Sequence, residues 1–162
     1  LYCLGGRAFA DHCTFMNEFP AARSTPSSGL FIRVADAWGQ VRYRDMYEAY
    51  FGNCIISGNK ESEIGFDFDA NVEFNYKMEG SLIKLLTNPL NGNYDINNSN
   101  YFKQCVFNKS PNFILPKSYN FQLDSNSEAI DIGMSSPAIR VPFDPNNVNR
   151  TITPDAGTFE NN

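Results

Sequence analysis

Chemistry in a protein of this kind needs carboxylates, histidines, thiols or arginine-aromatic groupings at usable spacing. Asp67 and Asp69 in GFDFDAN are the best-spaced acids. Residues two apart on a strand share a face, which would set Phe66 and Phe68 on the other. Such a pair can raise the pKa of one member for acid work, or hold Ca2+. The same spacing also describes two solvated carboxylates on an outer face with the phenylalanines inward, and this second reading is the one the segment favours. DPNNVN (144–149) shares Asp and Asn with a Ca2+ loop but lacks its spacing, central Gly and closing Glu, so it reads as a turn.

The single histidine, His12, adjoins Cys13. On a strand the two side chains point to opposite faces, which excludes a Cys–His pair and makes His12 a surface residue. No second histidine is present for a Ser–His–Asp triad, and the GxSxG, GxGxxG and GxxxxGK[ST] patterns are missing. Nucleophilic hydrolysis and nucleotide binding therefore lack support. The densest grouping is WGQVRYRDMYEAY (38–50), where Trp38, Tyr43, Tyr47 and Tyr50 alternate with Arg42, Arg44, Asp45 and Glu48. Aromatic faces stack on sugar rings and arginines pair with acidic sugars. Trp38, Arg42, Tyr43, Arg44 and Tyr47 are the candidate glycan-contacting residues. The competing reading makes these aromatics a cover for the flank of the fold, with their charges solvated. Arg33, Lys77 and Lys84 are further cations.

Those residues must be carried by strands. The chain has 162 residues, 42% of them hydrophobic, with 14 Phe and 8 Tyr, enough for one domain with a core. Gly, Pro and Asn interrupt every window long enough for several helical turns, and YRDMYEAYF (43–51) fits a strand by its aromatic spacing. A net charge of −5 excludes a broad footprint for nucleic acid. No apolar run reaches the roughly 18 residues of a membrane span. The four cysteines allow two disulfides in three pairings, or serve as small buried residues; the second reading is preferred for three of them.

Four segments repeat: AFADHCTFMN (8–17), YFGNCIISGN (50–59), YKMEGSLIKL (76–85) and YFKQCVFNKS (101–110). Each places a small residue, Cys13, Cys54, Ser81 or Cys105, before a short apolar run, at intervals of 41, 27 and 24 residues. Such periods indicate stacked arrays, and these elements are strands. Alternation puts Phe15, Ile56, Ile83 and Phe107 on the face of the small residues. No repeat buries that face alone, so neighbours stack, which predicts a parallel β-helix. Asn17, Asn59 and Asn108 are expected to take left-handed turns at strand ends. The long first interval predicts an extruded loop around 18–30 and one extra strand in GLFIRVAD. Residues 88–100 predict a polar loop.

The end of the chain, NFQLDSNSEAIDIG followed by D, R and PDAGTFE, resembles the close of many secreted right-handed parallel β-helix proteins of pectate-lyase-like architecture. Phe121, Leu123, Ser127, Ala129, Ile130, Asp131, Gly133, Asp144, Arg150, Pro154, Asp155, Gly157, Phe159 and Glu160 carry the match. Glu128 stands where that family usually has proline, and Ala156 where Ile is common. NCIISGN and FNYKMEGSLIK resemble the last rungs of surface β-helix proteins from Gram-negative, polysaccharide-degrading bacteria. The resemblance implies an all-β, right-handed parallel β-helix with rungs over 1–126 and a closing segment over 127–162. It also implies secretion or the cell surface of a Gram-negative bacterium.

This scaffold hosts lyases, glycosidases, adhesins and proteins without known activity, so it specifies no reaction. The expectation is a non-catalytic extracellular segment of a larger glycan-binding or adhesive protein. The alternative is the C-terminal portion of a polysaccharide lyase or glycoside hydrolase; no cofactor is expected, unless Ca2+ for a lyase. The closing segment is expected to act as an end lid. Ala129 and Ile130 would fill the last rung and Phe159 would plug it. Asp131, Asp144 and Asp155 would accept backbone N–H groups, and Arg150 would pair with a carboxylate. LYCLGGRAFADHCTF opens on rung-like sequence and reads as a processed piece, with preceding rungs, another chain or a second copy over that end.

Overall fold

The computed structural model describes residues 1–17, 30–33, 43–86 and 94–161. Most of the 18–30 loop and the first part of the 88–100 loop lie outside the described residues, as do Trp38 and Arg42. The described chain is mostly β, with one short helix.

Strands β1 (Tyr2–Leu4), β2 (Gly6–Asp11) and β3 (Thr14–Asn17) open the chain. Then come β4 (Leu30–Arg33), β5 (Met46–Gly52) and β6 (Ile55–Gly58). β7 (Ile64–Asp67), β8 (Phe74–Glu79) and β9 (Leu82–Ile83) follow, then β10 (Phe102–Lys103) and β11 (Val106–Phe107). They form three parallel sheets that the chain visits in rotation: β1-β4-β7, β10-β8-β5-β2 and β11-β9-β6-β3. The segment 43–51 supplies most of β5, which begins at Met46, so it forms a strand and not a helix, and GLFIRVAD contributes β4.

The second and third sheets meet at a corner built the same way each time. His12, Asn53, Gly80 and Gln104 take φ of 51°, 51°, 56° and 52°, and each is followed by the small residue of the repeat. A left-handed residue turns the chain sharply between strands. Backbone bonds run on through the corner, from Asn53 N to Glu79 O and from Leu82 N to Cys54 O. Of Asn17, Asn59 and Asn108, only Asn108 is left-handed, at φ 57°. The turn-forming positions are therefore those before the small residue, because only two residues link β5 to β6 and one of them must turn the chain sharply into the next sheet, while the longer turn after β6 has room for ordinary backbone.

Identical corners keep the register. Phe15 pairs with Ile56, Ile56 with Ile83 and Ile83 with Phe107, as the repeat predicts. All three sheets contribute to one core, with Ile32 and Ile64 from the first, Phe51 and Met78 from the second, and Ile56 and Ile83 from the third. Ring pairs add to it, including Tyr76 stacked on Tyr101 at 4.6 Å.

A second core lies on the other face of the third sheet. Ile55 and Leu82, both fully buried, pack with Leu123, Ala129 and Ala156. Leu123 belongs to β13 (Asn120–Leu123), which pairs antiparallel with β12 (Phe113–Leu115). The tail beyond residue 127 carries α1 (Ser135–Arg140). It docks beside strands from successive repeats. Asn53 donates to Met134 O at 2.8 Å and accepts from Met134 N at 2.7 Å. Gly157 N donates to Asn53 O, Thr158 N to Thr14 Oγ1, and Arg140 clasps Asp11 through two bonds. The tail is thus strapped along the third sheet and its corner, instead of filling the last repeat with Ala129 and Ile130. The reason is chemical: Ile55 and Leu82 make the sheet apolar on both faces, and the flank needs cover. Gly80 allows the close approach, since a Cβ there would sit 2.5 Å from Asn53 Oδ1.

The tail is closed by buried charge. Arg150, 2% exposed, lies 3.3 Å from Glu160 and donates to Thr158 O. Asp144 accepts from Asn146 N, Val148 N and Glu160 N, and Asp155 from Asp131 N. Asp144 and Asp155 therefore serve as expected, and the carboxylate partner of Arg150 is Glu160. Among the described residues no helix is long and apolar enough to cross a membrane.

Candidate functional site

The predicted glycan residues divide. Tyr43, Arg44 and Tyr47 come together with Leu4, Gly5, Gly6, Asp45 and Val72 around a surface depression of about 470 Å³. Gly5, at φ 65°, lets the chain pass Arg44, whose Cβ would lie 2.7 Å from an added Cβ. Tyr43 and Tyr47 are about half exposed and their rings are available to a ligand. The charge of Asp69 pushes the Tyr43 phenol pKa up, and a hydrogen bond to Asp45 does the same for Tyr47. Both phenols stay protonated at neutral pH and serve as donors or stacking faces.

Asp67 and Asp69 do not form the expected face. β7 ends at Asp67, so alternation stops there: Phe66 packs on the core while Phe68 is exposed and rests on Phe74 at 5.6 Å. The backbone N–H and side-chain amide of Asn71 both donate to one Asp69 oxygen, and they hold that carboxyl below its usual pKa. Among the described residues no group of three or more His, Cys, Asp or Glu is placed to hold a metal ion.

His12 is buried, at 4% exposure, and not a surface residue. It occupies the corner and not a strand, so alternation does not govern it. Its Nε2 lies 3.0 Å from Asn53 Nδ2. Burial, then the charge of Arg150, pulls its pKa down to about 4. A neutral imidazole locked under the tail is structural.

The same strands, β2 and β5, carry a second grouping that residue spacing alone did not reveal. On the exposed face of the second sheet Phe9 pairs with Tyr50, their centroids 6.5 Å apart. The Tyr50 hydroxyl donates to Glu79 Oε2 at 2.8 Å, and the Arg140 guanidinium lies 5.0 Å from the Tyr50 ring centroid. Glu79 Oε1 also meets Lys77 at 2.7 Å and Lys103 at 3.7 Å. Arg7 reaches Glu48 at 3.5 Å. Arg7 and Phe9, Glu48 and Tyr50, and Lys77 and Glu79 are pairs two residues apart on β2, β5 and β8, and Lys103 and Arg140 join them from elsewhere, so the grouping as a whole has no spacing along the chain. The usable signal was the polar half of the alternation in RAFAD, EAYFG and NYKME, read across repeats instead of along one.

Burial works to raise the Glu79 pKa, but bonds from Lys77 and Tyr50 and the nearby ammonium charges outweigh it and hold it low. Burial raises Tyr50 to about 12, against the opposing bond from Arg140. Glu79 stays ionised and Tyr50 protonated, so neither is poised to exchange a proton near neutral pH. A further depression of about 480 Å³ is lined by Met16, Lys84, Asn108, Lys109 and Phe113, but Lys84 donates to Gly58 O and Asn108 pairs with the Leu85 backbone. Comparison with protein-family models, with curated proteins and with solved structures finds no match for this chain.

Proposed function

We propose that the chain is a non-catalytic segment of an extracellular right-handed parallel β-helix protein, and that it presents a rigid platform for polysaccharide. The architectural part is supported by the rotation of the chain through three parallel sheets around a shared core, with unbroken register in the third. Right-handedness agrees with the usual crossover of parallel strands. Secretion or display at the surface of a Gram-negative bacterium follows from the resemblance of residues 121–160 to that family's closing phrase.

The observation that carries the binding role is the strip on β2 and β5. It runs from the Tyr43–Arg44–Tyr47 depression to the Phe9–Tyr50 pair, with Arg44 in the depression and Arg140 over the Tyr50 ring. Sugar rings take the aromatic faces and acidic sugars take arginine or lysine. Trp38 and Arg42 belong to the same proposal by sequence.

A second reading, part of a polysaccharide lyase or glycoside hydrolase with Ca2+ in a lyase, is favoured by one feature. Lys77, Lys103 and Arg140 gather around Tyr50 and Glu79. A glycan array and a cleavage screen, each with and without Ca2+, test both. Binding without turnover, weakened about tenfold or more by Tyr47→Ala, is expected. Unsaturated or shortened products would replace the platform by the enzyme, and no binding to any glycan would remove both.

A further inference from the structure

Cys13 and Cys54 hold the same corner position in successive repeats. Asp11 pairs with Gly52 before them and Thr14 with Ile55 after them, so the two cysteines are stacked directly. Neighbouring strands lie about 4.8 Å apart, inside the roughly 4.4–6.8 Å between Cα atoms that a disulfide spans. The Cys13 thiol donates to Asp11 O at 3.4 Å and the Cys54 thiol to Gly52 O at 3.3 Å, the carbonyls of two residues paired in register, so both sulfurs turn the same way at the corner. The next corner position is Ser81, which separates Cys54 from Cys105, and Cys3 pairs with Ile32 in another sheet. Cys13 and Cys54 are therefore the one pair of neighbouring thiols among the described residues. Both are free thiols here.

We infer that Cys13 and Cys54 form a reversible disulfide when the protein meets a low-molecular-weight disulfide, tying the β2–β3 corner to the β5–β6 corner. Cys13, half-buried, is the reachable thiol, and Cys54 is fully buried beneath it. The neighbouring Cys54 thiol lowers the Cys13 pKa, against burial and the charge of Asp11, while burial raises that of Cys54, so Cys13 is the thiol that ionises first. The Cys13 thiolate attacks one sulfur of the small disulfide and expels the other half as thiolate. The expelled thiolate takes the Cys54 proton, and the Cys54 sulfur then attacks Cys13 and releases the second small thiol. Two protein thiols are oxidised and one small disulfide is reduced to two thiols. Among the described residues β2 pairs with β5 and β3 with β6, so the link ties the same two repeats that these pairings join. It does not depend on the glycan reading.

The test uses the reduced wild-type chain with excess oxidised glutathione, followed by alkylation in denaturant, trypsin and mass spectrometry. Cys13 and Cys54 fall on separate tryptic peptides, 8–23 and 45–60. The expected result is these two peptides joined, with Cys3 and Cys105 alkylated. Thiol reductant should separate them, and the oxidised protein should melt higher by up to roughly 10 °C. C105S should still form the link. C13S should take up no glutathione at the corner, and C54S should keep glutathione on Cys13. Four alkylated cysteines, a link through Cys3 or Cys105, or glutathione retained on Cys13 in wild type as in C54S would overturn the inference. The wild-type mapping needs no substitution, so it decides the matter even where a variant misfolds.

Discussion

The second and third sheets are built from the same repeats and joined by the same corner, yet they treat solvent differently. In the second, burial alternates: on β2 Arg7 and Phe9 are exposed between partly buried alanines, and on β5, past an irregularity that exposes Tyr47, Ala49 and Phe51 are buried and Tyr50 is half-buried. In the third, neighbours on opposite faces are both fully buried, Ile55 with Ile56 and Leu82 with Ile83. One sheet therefore keeps an exposed face with aromatic rings and charges, and the other gives both faces to packing. The tail follows from that difference. It covers the sheet that needs cover and reaches the second only where Arg140 meets Asp11 and Tyr50, leaving Phe9 and Tyr47 exposed.

The largest expected effect comes from the buried charge that closes the tail. Arg150→Met leaves Glu160, Asp144 and Asp155 with no buried cation and should cost about 3–5 kcal/mol in chemical denaturation. A loss under about 1 kcal/mol would mean the tail contributes little to closing the third sheet. Next is Ile55→Ala, on the face of the third sheet that a simple alternating strand would expose. It should cost about 2–5 kcal/mol, as a core residue does. If it behaves like a surface change, the second core is not formed in solution.

The tail's docking should also be visible in pH dependence. The folded pKa of His12, about 4, lies below the unfolded value near 6.5, so the unfolded chain binds more protons between them. Its contribution is present above pH 6.5 and lost as pH falls towards 4, by no more than about 3 kcal/mol. Glu160 runs the other way: burial, resisted by the Asp155 backbone bond, raises it to about 7. Its contribution is present below pH 4.5 and lost as pH rises through 7. Arg150, Asp11 and Arg140 face His12, and Arg150, Asp144 and Asp155 face Glu160. Between pH 4.5 and 6.5 the two oppose. Stability measured across that window should rise with pH in E160Q and fall with pH in H12N, where Asn suits the left-handed corner. Equal slopes in both variants would separate His12 and Glu160 from the docking.

The smallest effect belongs to the exposed face. Phe9→Ala should change stability by no more than about 0.5 kcal/mol. A cost of about 2 kcal/mol or more would make Phe9 a packing residue and erase the contrast with Ile55.

Much of this frame was legible in the amino-acid order. The ladder Phe15–Ile56–Ile83–Phe107, the small corner residues and the strand at 43–51 are local patterns, and stacking only adds them together. Tyr43, Arg44 and Tyr47 were legible for the same reason, lying within five residues of each other. The Glu79 cluster was not, since Lys77 is its only neighbour along the strand and Tyr50, Lys103 and Arg140 join it only after register is set. The doubled apolar pairs Ile55–Ile56 and Leu82–Ile83 announced burial on two faces, but nothing in them named the tail as the cover.

His12 marks the boundary most sharply. The sequence by itself determined short strands, their apolar face and the period at which they recur, because side-chain alternation and turn chemistry act within a few residues. Which residue turns each corner, where the tail lies and which charges meet on the open face were decided by stacking. Those contacts join residues far apart in the chain, and their energy exists only once neighbouring repeats are in register and water has left the space between them.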